Sequence, residues 1–505
     1  MRKIQILIVL AAAVGAAWLT TRVDDGLGAV WTHNVVRNWE QFGFFNLHGK
    51  MVINPGGFEA ATNPEIYAGH RPASLYPAYV CHHLSGASDF GFLAYYGIMA
   101  AIVLLSIWQL LGRTDRAFWL AVTAVLTPGY LRWQTSLDPN LTAVLFGFPF
   151  CVAVIGWLRR PVLTRLHWAG LFLLILVYSS LNWTTIFVHA MLFATLLVLP
   201  GVSWRRLLIY AGLTAALAGL VLLASLATKL RPAGGGSGGG LALMVRAYGW
   251  GNAGYGLDLT TRTAFTRLFA VNLMGLLPVL IFLGCLMWRR GLRRSPAGWL
   301  WLAPLLMPVV EVTGMRNYFG HHPWMSVNFF LMGIILAATV WRAEATGPAA
   351  GESRARLPLQ LGCLAATFAY GFVVLTAQHL HNEGELKLAA LIREHTARDC
   401  TIVVRRDTDP ALADIAPRLP EMFDRHLIVV PDLTAAGLAG VPEKRVDLTA
   451  IAPPAETSIA QTGGADAGNP VLKKMLGWYA SHIAHRRPGD KLELDGNYYL
   501  CRPAG

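Results

Sequence analysis

Apolar runs of about 17 to 22 residues recur along the first 378 residues of this chain. An α-helix rises about 1.5 Å per residue, so a run of about 20 residues crosses a hydrocarbon core about 30 Å thick. Backbone polar groups at that depth must bond within the segment, which leaves the helix as its structure. The sequence therefore predicts a polytopic α-helical membrane protein with about eleven transmembrane helices. The predicted spans lie near 4–20, 90–111, 117–134, 140–158, 167–181, 183–200, 207–227, 267–288, 297–313, 324–341 and 357–377.

Composition agrees with this class. The 505 residues are 54% hydrophobic and only 14% charged, with a mean hydropathy of +0.45. The formal net charge of +13 would suggest nucleic-acid binding in a soluble protein. Here the basic residues form short clusters between apolar runs, which is the pattern of a membrane protein and not of a nucleic-acid partner.

The basic clusters also predict the orientation. Cytoplasmic loops of membrane proteins carry an excess of Lys and Arg, so we expect a multi-pass protein of the plasma membrane with a cytoplasmic N-terminus. The first span could instead be a cleavable signal peptide, and either reading puts Asp24 outside. The residues assigned to the cytoplasmic side are Arg2, Lys3, Arg113, Arg116, Arg159, Arg160, Arg165, Arg205, Arg206, Arg289, Arg290, Arg293, Arg294, Arg342, Arg354 and Arg356.

Two domains are predicted, a membrane domain over 1–378 and a small α/β extracytoplasmic domain over 379–505. In the second, 400–404 and 426–430 are expected strands and 386–394 and 471–484 expected helices. The membrane domain has a first outer loop over 21–89 and a Gly-rich outer loop over 228–266, in which Gly234 to Gly240 lacks a phosphate-loop ending and suits a hinge. The stretch 167–200 is expected to fold as two short helices around Asn182.

Candidate functional residues concentrate in the predicted outer segments. Asp24 and Asp25 follow the first span directly, and the same loop carries Arg37, His70, Arg71 and Tyr76. A second group follows an apolar span and consists of Glu311, Arg316, His321 and His322. Ionisable groups at such positions are candidates for a functional site, although a Glu311–Arg316 pair could simply hold its loop in place.

An outward-facing site has no access to cytoplasmic nucleotides, so an activated donor must arrive attached to a lipid. Transfer of a sugar from a lipid-linked phosphate needs a carboxylate that takes a proton from the acceptor hydroxyl and a cation that stabilises the departing phosphate. Asp24 or Asp25 is the candidate base. Arg71, Arg316 and Arg37 are the candidate cations, because guanidinium binds phosphate with two parallel hydrogen bonds.

The chain resembles the GT-C glycosyltransferases. The resemblance rests on the acidic pair after the first helix, on Gly43-Phe44-Phe45 and on the segment from Tyr67 to Pro77. It is most similar to the branch of protein O-mannosyltransferases and aminoarabinose transferases. The resemblance implies that Asp24 is the catalytic aspartate, that Asp25 stands where the family usually carries Glu, and that the donor is a polyprenyl-phosphate sugar. His70-Arg71-Pro72 resembles the family's His/Lys-Pro-Pro segment.

Several alternatives stay open. Adjacent carboxylates and nearby histidines also suit a divalent cation, but no ligand spacing indicates one, and no other cofactor is indicated. A transporter or lipid flippase is one competing class, and a non-catalytic membrane scaffold for the outer domain is another. The sugar and the acceptor, whether protein, lipid or polysaccharide, are not determined by the sequence.

We predict a disulfide between Cys400 and Cys501, which open and close the outer domain beside strand-like runs in a compartment expected to be oxidising. Peptide mapping by mass spectrometry without reduction should recover the two cysteines in one linked peptide. Recovery of both as free thiols from freshly prepared membranes would contradict the pairing or the extracytoplasmic location.

Overall fold

The computed structural model describes residues 3–20, 30–53, 71–127, 130–131, 137, 139–182, 184–230, 276, 279–281, 323–344, 401–405, 426–430, 444–447 and 498–501. The helices in this part are α1 (Lys3–Thr20), α2 (Val30–Phe42), α3 (Tyr76–Leu84), α4 (Phe90–Leu110), α5 (Asp115–Val125), α6 (Pro139–Leu158), α7 (Arg165–Leu181), α8 (Thr185–Val198), α9 (Trp204–Leu230) and α10 (Pro323–Glu344). A 3₁₀ turn, Pro72–Leu75, precedes α3.

Three of these helices are long and apolar enough to cross a membrane, judged by length and composition within the described residues. They are the segments Phe90–Leu110 of α4, Leu141–Leu158 of α6 and Trp204–Val221 of α9. Shorter apolar helices are Ile4–Ala17, Arg165–Leu181, Thr185–Val198 and Phe329–Ala343. The described part is thus mostly helical and has the character of a membrane protein. Some of the eleven predicted spans lie outside the described residues, so their total number stays a prediction.

The first helix in the span predicted near 117–134 ends before the span does, and Tyr130 and Leu131 are helical again. This helix, α5, begins after Thr114, whose hydroxyl caps the helix by accepting a hydrogen bond from the Ala117 N–H, and it ends at Val125. The sequence Thr127-Pro128-Gly129 follows directly. Proline disfavours a helical conformation in the residue before it and lacks a donor, which accounts for the early end. The spans predicted near 297–313 and 357–377, and all of 267–288 except residues 276 and 279–281, lie outside the described residues.

The chain divides into two compact units. The first contains α1, α4 from Ala94 onward, and α5 to α10. The second contains α2, the 3₁₀ turn, α3, the start of α4 up to Leu93, and the strands described below. The predicted domain boundary near residue 378 falls outside the described residues and stays a prediction.

Helix α6 lies at the centre of the first unit and packs against α7, α8 and α10. A side-chain carbon at Gly147 would come within 2.7 Å of Met332 Cε, 2.8 Å of Tyr178 Oη and 3.0 Å of Val188 Cγ1. Glycine at this position therefore lets one side chain from each of three neighbouring helices approach the α6 backbone. Small residues bring helices together in membranes in the same way, because apolar lipid provides little hydrophobic drive for association.

A polar connection crosses the apolar interior of this unit. His189 of α8 has its Nε2 3.0 Å from Ser179 Oγ of α7 and its Nδ1 3.0 Å from Tyr210 Oη of α9. All three side chains are buried. Both imidazole nitrogens are therefore satisfied, and a single side chain ties three helices together.

Helices α7 and α8 have 17 and 14 residues and break between Leu181 and Thr185, which confirms the predicted pair of short helices around Asn182. Fourteen residues rise about 21 Å, less than the thickness of a hydrocarbon core. The break contains Asn182 and Thr184, and both are fully buried. The polar break is thus enclosed by protein, at a depth where lipid could not satisfy its polar groups.

The segment 21–89, predicted as an outer loop, contains two helices that belong to the second unit. Residues 30–42 and 76–84 are the helices α2 and α3, which pack against each other. The connecting segment 43–53 is fixed by two side chains of α2. Trp39 Nε1 donates to the Lys50 carbonyl at 2.7 Å, and Asn38 Nδ2 donates to the Val52 carbonyl at 2.9 Å.

Four short strands belong to the second unit. Strands β1 (Thr401–Arg405) and β2 (His426–Val430) pair in parallel with Thr401 opposite His426, which confirms both predicted strands within one residue. Strands β3 (Lys444–Asp447) and β4 (Tyr498–Cys501) pair antiparallel with Lys444 opposite Cys501. Strand β4 also lies beside β1. Cys400 and the helices predicted over 386–394 and 471–484 lie outside the described residues, so the disulfide stays a prediction.

We expect Arg206→Gln to destabilise the first unit. The Arg206 guanidinium donates to the carbonyls of Leu158 and Pro161, both at 2.8 Å, and to that of Arg160, and so joins the start of α9 to the end of α6. Loss of these charge-assisted hydrogen bonds should lower the free energy of unfolding by about 2 kcal/mol, measured by thermal unfolding in detergent.

Arg205→Gln is the matched control, because Arg205 is exposed and makes no hydrogen bond or ion pair in the described part of the chain. It should leave the unfolding free energy within about 0.5 kcal/mol of the wild type. Equal effects of the two substitutions would refute a structural role for Arg206.

Candidate functional site

The described site residues lie in the second unit, on α2, on α3 and at the start of α4. Arg37 of α2 donates from Nη2 to Asp89 Oδ1 at 2.8 Å. The arginine side chain is 15% exposed and the aspartate side chain 70% exposed. Arg37 was predicted to bind the donor phosphate, and the structure supplies it with a carboxylate partner that faces solvent. An anion that binds Arg37 must therefore share the guanidinium with Asp89 or replace it.

The ring of Phe92, in the first turn of α4, organises the groups around Arg37. The guanidinium carbon lies 5.8 Å from the ring centroid, within the range of a cation–π contact. His33 meets the ring edge-on at 4.5 Å between centroids, and His82 stacks on it at 4.7 Å. One aromatic side chain of α4 thus contacts a cation and an imidazole from α2 and a second imidazole from α3.

His82 is buried and held by a backbone hydrogen bond. Its Nδ1 lies 3.0 Å from the Ser88 carbonyl, and a carbonyl only accepts, so Nδ1 carries the proton. Burial lowers the pKa of His82, and the nearby positive charge of Arg37 lowers it further. His82 therefore acts as a structural hydrogen-bond donor at neutral pH.

Gly91 allows the close approach of α3 and α4. A side-chain carbon there would lie 2.4 Å from His82 Cα and 2.5 Å from Ser85 Oγ, closer than real side-chain carbons approach other atoms. Ser85 Oγ donates to the His82 carbonyl at 2.7 Å and Ser88 Oγ to the Ser85 carbonyl at 3.0 Å. This tight turn fixes Asp89 and Phe92 relative to α3.

A carboxylate–imidazole pair lies one turn further along α2 than Arg37. His83 Nδ1 is 3.0 and 3.1 Å from the two carboxylate oxygens of Glu40. Tyr79 stacks on the His83 ring at 5.9 Å, and the pKa of Tyr79 is raised by burial and by the Glu40 charge. The His83 side chain is 61% exposed. An exposed imidazole oriented by a carboxylate can accept and pass on a proton.

Sequence reasoning did not find the pairing of Glu40 with His83, because 43 residues separate them and no spacing rule connects them. The same holds for Arg37 and Asp89, which are 52 residues apart.

Aromatic rings cover the side of α3 next to these groups. Trp39 and Phe44 contact both Tyr76 and Tyr79, with centroid distances between 5.2 and 5.8 Å. Tyr76, predicted to bind substrate, is exposed at this edge, and partial burial raises its pKa. Flat, partly exposed rings of this kind suit stacking on a sugar and equally suit the membrane interface.

Arg71 lies directly before the 3₁₀ turn that leads into α3. Its backbone is extended, and its carbonyl accepts a hydrogen bond from Ser74 Oγ at 3.2 Å. Burial lowers the pKa of its guanidinium, which stays charged at physiological pH. Arg71 and Tyr76 are therefore joined by a short rigid segment.

Asn34 is a buried polar residue of α2 that the sequence did not single out. It is fully buried on α2, and neither its Oδ1 nor its Nδ2 has a hydrogen-bond partner in the described part of the chain. Burial of unsatisfied polar atoms costs about 1 to 3 kcal/mol for each group. A buried amide of this kind, one turn from Arg37 and Asn38, is suited to a polar ligand.

Several predicted site residues lie outside the described residues, namely Asp24, Asp25, His70, Glu311, Arg316, His321 and His322. Their roles stay predictions. Among the residues that are described, no group of three or more His, Cys, Asp or Glu side chains could hold a metal ion.

The comparisons with known proteins identify no family. No family model matches the chain, and no curated protein matches it. The chain is similar to the crystal structure of the Archaeoglobus fulgidus oligosaccharyltransferase in the apo form, with 14% identity and a TM-score of 0.45 over 93% of this chain and 68% of the other. Similarity at this level does not establish the fold or function of this chain.

We expect Asn34→Leu to stabilise the ligand-free protein. The substitution removes two unsatisfied polar atoms and keeps a side chain of similar size, so the free energy of unfolding should rise by about 1 kcal/mol. Asn38→Leu is the matched control, one turn along the same helix, because it removes the bond to the Val52 carbonyl. That change should lower the unfolding free energy by about 1 to 3 kcal/mol. A destabilisation of equal size in both variants would show that Asn34 is already satisfied.

Proposed function

We propose that this protein is a glycosyltransferase that transfers a sugar from a polyprenyl-phosphate donor to a hydroxyl acceptor at the outer face of the plasma membrane. The sugar would be a hexose or a pentose, and the fold GT-C-like, of the protein O-mannosyltransferase or aminoarabinose transferase type. The C-terminal α/β domain would lie on the same side of the membrane and help select the acceptor.

One observation carries the proposal. The segment from α2 to the start of α4 gathers arginines, a carboxylate–imidazole pair and exposed aromatic rings directly before α4, an apolar helix long enough to cross a membrane. A polyprenyl-phosphate sugar presents a phosphate, a sugar face and an apolar isoprenoid chain. The arginines suit the phosphate, the aromatic rings suit the sugar face, and the apolar helix α4 suits the lipid chain.

The arginines would bind the donor phosphate. Arg37 is already oriented by Asp89 and Phe92, so a phosphate oxygen that replaces the exposed aspartate would meet a preformed guanidinium. Arg71 and Arg316 are the further candidates for this role. Positive charge placed where the leaving phosphate develops its charge stabilises the transition state more than the bound donor.

Asp24 or Asp25 would act as the general base in an inverting reaction. The acceptor oxygen attacks the anomeric carbon while its proton passes to the carboxylate. The bond between that carbon and the phosphate oxygen breaks, and the polyprenyl phosphate leaves with the electron pair. His70, Tyr76, Glu311, His321 and His322 would contact substrate. No metal is required by this scheme, although a divalent cation beside the acidic pair is compatible with it.

A transporter is the second candidate, and His189 is the observation that favours it. This ionisable side chain is buried among apolar helices. Transporters use ionisable residues in such positions to carry protons or bind ions. The ring nitrogens of His189 are, however, both engaged by hydroxyl groups of neighbouring helices.

The test is transfer of radiolabelled sugar from a polyprenyl-phosphate donor pool in membranes that contain wild-type protein, Asp24→Asn or Asp25→Asn. Loss of the base should lower the rate by roughly 10² to 10⁴-fold at normal protein abundance. Asp115→Asn is the matched acidic control. Asp115 accepts a hydrogen bond from Gln5 in the first unit and has no role in the proposed reaction.

Equal transfer in all variants would remove the acidic pair from the reaction. Absence of transfer in the wild type across varied donors and acceptors would refute the proposal and favour transport or a scaffold function.

A further inference from the structure

A basic surface at one end of the first unit has no role in the proposed transfer reaction. It is built by the α6–α7 connection, residues 159–164, and the α8–α9 connection, residues 199–203, with the first turns of α7 and α9. The bonds from Arg206 to the carbonyls of Leu158 and Pro161 hold the start of α9 against the end of α6. Arg159 Nε would also lie 3.6 Å from a side-chain carbon at Gly201. The two connections therefore form one continuous surface.

Within the described residues, no carboxylate pairs with the exposed arginines of this surface. Arg159, Arg160, Arg165 and Arg205 are all exposed, and we call these four residues the basic patch. From Pro139 to Leu257 the sequence contains no Asp or Glu. Within the described residues, Arg159, Arg165 and Arg205 make no ion pair or side-chain hydrogen bond, while Arg160 contacts His167. Three unpaired guanidinium groups on one surface require an anion or water as partner.

Exposed apolar side chains border the basic patch. Leu166 is 81% exposed and Trp204 is 62% exposed, and Val162 and Leu208 are exposed beside them. Helices α7 and α9 lead from this surface into the apolar part of the unit, and the Trp204–Val221 segment of α9 is long enough to cross a membrane. A water-soluble anion would gain nothing from these apolar groups, whereas a phospholipid would contact them with its acyl chains.

We propose that the basic patch binds the phosphate headgroup of an anionic phospholipid in the adjacent leaflet. The guanidinium groups of Arg159, Arg165 and Arg205 would donate to phosphate oxygens, with Leu166 and Trp204 against the lipid chains. The charge distribution predicts that this leaflet is the cytoplasmic one, where anionic lipids concentrate. The bound lipid would join the ends of α6, α7 and α9. The proposal is independent of the transferase reaction, because it uses none of the residues assigned to that reaction.

The test uses the full-length protein, purified in detergent, with dioleoyl phosphatidylglycerol as the anionic probe. Dioleoyl phosphatidylcholine and inorganic phosphate are the comparison probes, and binding is measured by native mass spectrometry and by the thermal midpoint. The triple variant Arg159→Gln, Arg165→Gln, Arg205→Gln removes the unpaired charges, and the corresponding triple Lys variant keeps them. All three positions are exposed, so both variants should fold, and their midpoints without lipid check this directly.

We expect phosphatidylglycerol to bind the wild-type protein and raise its thermal midpoint, because a ligand that binds the folded state stabilises it. Each basic residue near an anionic lipid contributes roughly fivefold in affinity, so the Gln variant should bind about 100-fold more weakly. The Lys variant should keep most of the affinity, and high salt should abolish the difference.

Three results would overturn the proposal. Equal binding of phosphatidylglycerol to the wild type and the Gln variant would place the lipid elsewhere. Equal binding of phosphatidylcholine would show that the apolar border alone attracts lipid. A midpoint shift of the same size with inorganic phosphate would assign the basic patch to a soluble anion.

Discussion

The absence of water inside a lipid bilayer is the constraint on which the first unit depends. Backbone polar groups there need partners within the protein, and the backbone meets this need by forming helices. The side chains follow the same rule at shorter range. The hydroxyls of Ser106, Thr195 and Thr339 each donate to the carbonyl four residues earlier in the same helix, at 2.7 to 2.8 Å. His189 cannot be satisfied within its own helix, and it therefore joins α8 to α7 and α9.

The second unit depends on charge pairing and aromatic contacts instead. An ion pair joins Arg37 to Asp89 and a hydrogen bond joins Glu40 to His83, and each contact brings together segments more than 40 residues apart in sequence. Surface ion pairs contribute little to stability, so their effect is mainly on orientation. They fix the directions of a guanidinium and an imidazole in the segment that leads into α4. The buried amide of Asn34, which has no hydrogen-bond partner among the described residues, adds a polar group to the interior of this unit.

Prediction from sequence succeeded where a periodic or compositional signal covers a whole element. The apolar runs near 4–20, 90–111 and 140–158 coincide with helices, since run length and hydropathy are properties of the segment itself. Prediction failed where the element is short or of mixed polarity. Helices α2 and α3 carry Arg, His, Glu and Asn beside aromatic residues, so they lack the long apolar run and were read as loop. Strands β3 and β4 have only four residues each, too few for an alternating pattern to be recognised.

The sequence by itself determined that this chain is a helical membrane protein and where its basic clusters fall, because hydropathy and charge act locally and need no knowledge of neighbours. It also named Arg37, Arg71 and Tyr76 as candidates from residue type alone. Only the tertiary structure decided which groups meet, since Asp89 reaches Arg37, and Glu40 reaches His83, through the packing of α2 against α3 and the close turn at Gly91. The basic patch is likewise a product of packing, because Arg206 joins two connections that lie about 40 residues apart in the chain.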